Sequence, residues 1–214
     1  MDLSPAAGSS SPTFDRRTCG PLELLRLMAD IVRSSPDLRG HAGESTIDHA
    51  FLERVMLAVS QVNACRYCLY GHTRAALSAG VPREEITALM DGDLAGSPPE
   101  QAVALAYAQH YAETRGKTDP AATQRLTDEY GGRGAARIQA AIHMITLGNL
   151  LGNTFDAFIS RLRGRPARQG NILSELAALL VAILGVIPLG VLMMLSMLLG
   201  RRTRPPASPL PEID

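Results

Sequence analysis

Cysteine is scarce and lysine almost missing. Three cysteines, Cys19, Cys65 and Cys68, cannot build the disulfide framework of a small secreted domain, and Cys65 and Cys68 stand as a close pair that points to redox or metal chemistry in a reducing compartment. Lys117 is the only lysine, and the 21 basic residues are balanced by 21 acidic ones, which excludes a uniformly basic nucleic-acid binder. Tryptophan is absent and aromatics make up 4%, yet 46% of the 214 residues are hydrophobic, enough for one domain with a core and something further. No apolar core of a signal peptide opens the chain, so the expected starting compartment is the cytoplasm. No segment between Pro21 and Leu162 shows the strict alternation of a half-buried strand.

Helical spacing fills that interval instead. Leu22, Leu25, Met28, Ala29 and Val32 lie at the intervals of one helix face, and Phe51, Val55, Ala58, Val59 and Val62 do the same further on. Ala64 to Ala79 is a run of good helix formers closed by Gly80, and Pro82 with Glu84 and Glu85 opens the next helix. Further helices are expected after Pro98 and Pro99, over Pro120–Tyr130, over Gly134 to about Gly148, and from Leu150 to Leu162. The fold class is therefore all-α, a compact helical domain over 21–165. Residues 1–20, rich in Ser, Pro, Gly and Ala and carrying Cys19, are expected to form a disordered tail.

The charge is unevenly placed. Pro21–Ser160 carries 16 acidic and 12 basic residues, whereas Arg161–Asp214 carries 7 basic and 3 acidic. That positive excess flanks Leu176–Gly200, 25 residues without a charge. As a helix at ~1.5 Å per residue this run would extend about 37 Å, more than the ~30 Å of a hydrocarbon core. The expectation is a basic linker over 166–175, a single transmembrane helix over 176–200, kinked at Pro188, and a disordered tail over 201–214. The helical domain would remain cytoplasmic behind this C-terminal anchor.

The chemistry concentrates between Leu52 and Gly80. Asn63 is a plausible N-cap, which would place Cys65 and Cys68 in the first turn of the following helix, where the helix end favours thiolate. His72, four residues after Cys68, would share its face. If the chain reverses near Asn63, Glu53 lies opposite His72 and can orient the imidazole, giving a nucleophile, a base and an orienting acid. A zinc site drawn from the cysteines, His72 and either His41 or His49 lacks a second close-spaced ligand pair, and Leu69 stands where a c-type haem motif needs histidine. No metal and no cofactor is called for. His110 and His143 have apolar helical neighbours and are expected to be packing or surface residues.

Glu53, Cys65, Cys68 and His72, set in VSQVNACRYCLYGHT and followed by AGVPREEI, resemble the alkylhydroperoxidase D-like branch of the carboxymuconolactone decarboxylase superfamily. The resemblance implies a thiol-dependent peroxidase, Cys65 and Cys68 cycling between dithiol and disulfide, with Glu53 and His72 as proton relay. It also implies a hydroperoxide substrate, a dithiol protein or small thiol as reductant, and a homo-oligomer, trimer or hexamer. The sequence departs from that branch at Tyr67, where a second histidine is usual, and in its apolar tract. Helix-end position and exposure favour Cys65 as the attacking sulfur; proximity to His72 favours Cys68, and Cys68 is taken as the attacker with Cys65 resolving. A decarboxylase-type member of the superfamily and a non-catalytic or oxidant-sensing membrane protein are the alternatives.

Overall fold

The computed structural model describes residues 14–38, 47–165, 167–186 and 188, and among them the ordered elements are all helical. In chain order they are α1 (Pro21–Leu38), α2 (His49–Asn63), α3 (Arg66–Ser78), α4 (Arg83–Met90), a short 3₁₀ turn (Pro99–Gln101), α5 (Ala102–Glu113), α6 (Pro120–Leu162) and α7 (Ile172–Val181), which runs into a π turn over Ala182–Val186.

Local chemistry sets the boundaries. Asp48 caps α2 by accepting the Phe51 N–H at 2.7 Å, and Asp119 caps α6 by accepting the Ala121 N–H at 2.9 Å with Pro120 in the first turn. Ala64 ends α2 in the left-handed conformation, φ 53° and ψ 37°, which turns the chain back on itself. Gly131, at φ 67° and ψ 168°, kinks α6 in a region that essentially only glycine occupies.

α2 is the centre of the molecule. It packs against α3, α4, α5 and α6, and an unbroken run from Glu53 to Ser60 is buried. Val55, Leu57 and Val59 meet Leu105 of α5 and Leu126, Ile138 and Ile142 of α6 in the main core. A smaller cluster lies on the other side of α6, where Leu24, Leu27 and Ile31 of α1 meet Leu147 and Leu150 of α6 and Ala178 of α7. α6 is thus a wall shared by two cores. Arg54 and Glu85 cross from α2 to α4 as a buried bidentate pair, Nε–Oε1 2.6 Å and Nη2–Oε2 3.0 Å, so Glu85 is engaged by an arginine as well as by the helix end.

Four expectations change. On α1 the inward row is Leu24, Leu27 and Ile31, while Leu22, Leu25 and Val32 are 70%, 49% and 51% exposed. Helical spacing fits either stripe, and docking on α6 and α7 selects Leu24, Leu27 and Ile31. α6 runs unbroken through Gly148. The chain before α1 is packed from Phe14 onward: Cys19 is buried with its N–H on Thr154 Oγ1 at 3.0 Å, Arg16 reaches Asp156, and Phe14 bridges to Ala167. The segment expected as a basic linker contains the start of α7, where Glu175, 1% exposed, takes Arg161 Nε at 3.0 Å.

Among the described residues no helix is long and apolar enough to cross a membrane. The tract is described to Val186 and at Pro188, and its first third docks on α1 and α6. The remainder of 176–200, the tail 201–214, residues 1–13 and His41 lie outside the described residues.

A Cβ at Gly131 would meet nothing within 4 Å, so only its backbone angle opposes substitution. Gly131→Ala is expected to lower the unfolding free energy by about 1–3 kcal/mol, whereas Gly132→Ala, on the helical side of the kink, is expected to be neutral or stabilising. Denaturant midpoints of the two variants against the parent check this.

Candidate functional site

The site stands at the corner between α2 and α3, against α6. Because Ala64 reverses the chain, α3 returns alongside α2 and brings His72 to Glu53, with Nδ1 2.7 Å from Oε2. Glu53 is 4% exposed, and its other oxygen lies 3.4 Å from Nε2 of the exposed His49. The carboxylate fixes the imidazole through Nδ1 and leaves its Nε2 available, which is the arrangement expected of an oriented base.

Asn63 is the last residue of α2 and its carbonyl accepts Asn153 Nδ2 at 2.7 Å; the cap of α3 is Cys65. The Cys65 sulfur accepts the Cys68 N–H at 3.4 Å, the role usually filled by a serine or aspartate oxygen. The two free sulfurs are in direct contact, 2.6 Å apart. Since Cys65 already sits among the amide protons of the first turn, the negative charge settles there and Cys68 keeps the proton. The hydrogen bond from Cys68 and the N–H groups of Cys68 and Tyr67 outweigh burial and the nearby Asp156 carboxylate, and hold Cys65 at about 7, below an ordinary thiol. Cys68 is pushed up by donating to that thiolate and by its own partial burial.

Exposure runs opposite to the expectation. Cys65 is 0% exposed and Cys68 is half-buried, so outside molecules meet Cys68 first. His72 lies one turn beyond Cys68 on α3, and no hydrogen bond joins the imidazole to either sulfur among the described residues.

Sequence reading missed the contribution of α6. A Cβ at Gly152 would stand 2.9 Å from Cys65 Sγ and 3.3 Å from Tyr67 Cδ2, and one at Gly148 would stand 3.9 Å from Cys68 Sγ. The two glycines, four residues apart, are one row on the helix that leaves room for the sulfurs. Asn149, Asn153 and Asp156, buried at the same helical spacing, take Ser60 Oγ, hold the Asn63 carbonyl and bind the first turn of α3 respectively. Polar residues at three- and four-residue intervals inside the otherwise apolar ITLGNLLGNTFDAF are the signal that could have revealed them.

The remaining candidates are structural. His110 accepts the Asp119 N–H at 3.2 Å; His143 stacks at a tilt on Tyr111 and burial lowers its pKa. Burial pushes the Cys19 thiol up, away from reactivity. No cluster of His, Cys, Asp and Glu able to hold a metal occurs among the described residues.

Residues 32–110 match the model of the carboxymuconolactone decarboxylase family, a span that includes Glu53, Cys65, Cys68 and His72 and stops before α6. The crystal structure of an uncharacterized peroxidase-related protein from Silicibacter sp. TM1040 aligns with 69% of this chain and 71% of its own at 18% identity, with a TM-score of 0.47. None of the curated proteins matches the chain.

The thiolate absorbance at 240 nm is expected to rise as pH increases through about 7, because Cys65 is a thiolate above that value and a thiol below it. Cys68→Ala removes the largest stabilising donor, so the step is expected to move upward towards an ordinary thiol. A step left in place by Cys68→Ala would show that the helix end alone holds the charge.

Proposed function

We propose that this protein is a thiol-dependent peroxidase of the alkylhydroperoxidase D-like type, reducing hydroperoxides through a Cys65–Cys68 dithiol/disulfide cycle. The observation that carries the reading is the conjunction, on one helix turn and its neighbour, of two sulfurs 2.6 Å apart and an imidazole held by a buried carboxylate at 2.7 Å. The family match over 32–110 supports the same assignment.

In this reading Cys68, the more accessible sulfur, passes its proton by way of a bridging water to His72, one turn along α3, and attacks the distal peroxide oxygen. The O–O bond breaks, the alkoxide leaves and takes up a proton as the alcohol, and Cys68 becomes the sulfenic acid. Cys65, already a thiolate, attacks that sulfur; hydroxide leaves and is protonated to water, and the disulfide forms. Two thiols are oxidised and one peroxide is reduced. An external thiol then restores the pair. Glu53 acts through His72, keeping its Nε2 the basic nitrogen. Tyr67, in place of the usual second histidine, directs its hydroxyl to Asp156 and leaves the relay to Glu53 and His72. The homo-oligomer implied by the resemblance remains part of this proposal.

Cys65→Ser and Cys68→Ser are each expected to abolish hydroperoxide turnover supplied with a dithiol, and Cys19→Ser to retain it. His72→Ala and Glu53→Ala are expected to lower the rate by about 10²-fold and less, respectively, the size expected of a lost general base and a lost orienting group. Full turnover in either cysteine variant overturns the cycle.

Membrane attachment through 176–200, with the helical domain on the cytoplasmic side, is the second part of the proposal. The uncharged run supports it, as do Leu173, Leu176, Leu180, Ile183 and Leu184, which are exposed along α7 and the turn after it. The full chain is expected to stay in the membrane pellet after carbonate washing, and a chain ending at Val186 to leave it. The cut belongs after α7, because removing α7 would uncover Leu24, Leu27 and Leu150. Release of the full chain by salt alone would overturn the anchor.

A further inference from the structure

Asp156 is a buried carboxylate with three donors and no place in the reaction just described. Tyr67 Oη donates to its Oδ1 at 2.7 Å, Arg66 Nη2 reaches the same oxygen at 2.5 Å, and Arg16 Nη1 reaches Oδ2 at 2.9 Å. Arg66 Nη2 also donates to the Tyr67 oxygen at 2.8 Å, and its guanidinium lies over the Tyr67 ring at 4.8 Å. The Asp156 side chain is 7% exposed, and the three donors satisfy both of its oxygens. One turn earlier on α6, Gly152 is the notch that the Cys65 sulfur and the edge of the Tyr67 ring both enter. The ring is therefore held against the one helix face where Cys65 sits, by a bond from its far end to Asp156.

We infer that Asp156 is a positioning residue which, through Tyr67 and Arg66, seals the Cys65 sulfur from solvent and leaves Cys68 as the sulfur that outside molecules reach. Arg16 ties the segment before α1 to the same carboxylate, so the seal joins α3, α6 and that segment. A consequence follows for reduction, resting on the peroxidase reading above. An external thiolate attacks Cys68 Sγ, the Cys65–Cys68 bond breaks, and Cys65 leaves with the electron pair as a thiolate, while the incoming thiol becomes the mixed disulfide on Cys68. Cys65 is suited to leave, since a thiol of low pKa is the better leaving group and its charge is received by the first-turn amides.

The test is site-resolved labelling of the full chain with a bulky maleimide, rates taken on the alkaline plateau of each profile and the labelled cysteine read by peptide mapping so that Cys19 is scored separately. With Tyr67 intact, Cys68 in Cys65→Ser is expected to label at least about tenfold faster than Cys65 in Cys68→Ser. Adding Tyr67→Ala to Cys68→Ser is expected to speed Cys65 by about tenfold while changing Cys68 in Cys65→Ser by less than about twofold. Tyr67→Phe, which keeps the ring and loses the bond to Asp156, is expected to fall between, and Asp156→Asn to resemble it. Tyr67 is 44% exposed, so its replacement leaves the core intact and carries the test. Equal labelling of the two sulfurs with Tyr67 intact, or equal acceleration of both by Tyr67→Ala, overturns the seal. Peroxide turnover is not read, so a chain inactive as a peroxidase that keeps this selectivity refutes the reaction and leaves the seal standing.

Discussion

The contact between Cys65 and Cys68 depends on where α3 begins, and much of the architecture serves that one placement. A sulfur is a weak cap, and it holds a charge here because it sits at a helix start whose amides have no other partner. That start is fixed from three sides. The left-handed Ala64 turns the chain, Asn153 grips the Asn63 carbonyl, and the glycine row of α6 lets the sulfurs come in against its backbone. A side chain at Gly152 would push Cys65 away from the amides that ionise it.

The second constraint is burial of charge in α2. The central helix of a small domain would ordinarily be apolar throughout, yet α2 buries both Glu53 and Arg54. Each is tolerable because it has a partner on a neighbouring helix: His72 on α3 for the first, Glu85 on α4 for the second. The pairs differ in consequence. Arg54 and Glu85 form two parallel bonds that register α4 on α2. Glu53 faces an imidazole, so the same need for a partner orients the His72 ring on the helix that carries the cysteines.

Much of this was legible in sequence, and the reasons differ by element. The α2 face of Phe51, Val55, Ala58 and Val59 could be read because that helix is buried on most sides and any inward row must be apolar. The pairing of Glu53 with His72 could be read because a tight reversal fixes which residues of two adjacent helices stand opposite. α1 could not be oriented, since it carries two apolar stripes and only contact with α6 and α7 distinguishes them. The break expected between Gly148 and Leu150 is absent, and the close approach of a cysteine is what makes Gly148 useful inside a helix.

Sequence by itself determined the helical class, the two cysteines one turn apart, the histidine four residues beyond and the acid that would meet it, because short-range periodicity and a tight turn leave little freedom over thirty residues. Only the tertiary structure decided which sulfur meets solvent. That property arises from α6, some ninety residues away, whose glycines admit the sulfurs and whose Asp156 holds Tyr67 beside Cys65. Burial and long-range hydrogen bonds are properties of packing, and no local spacing encodes them.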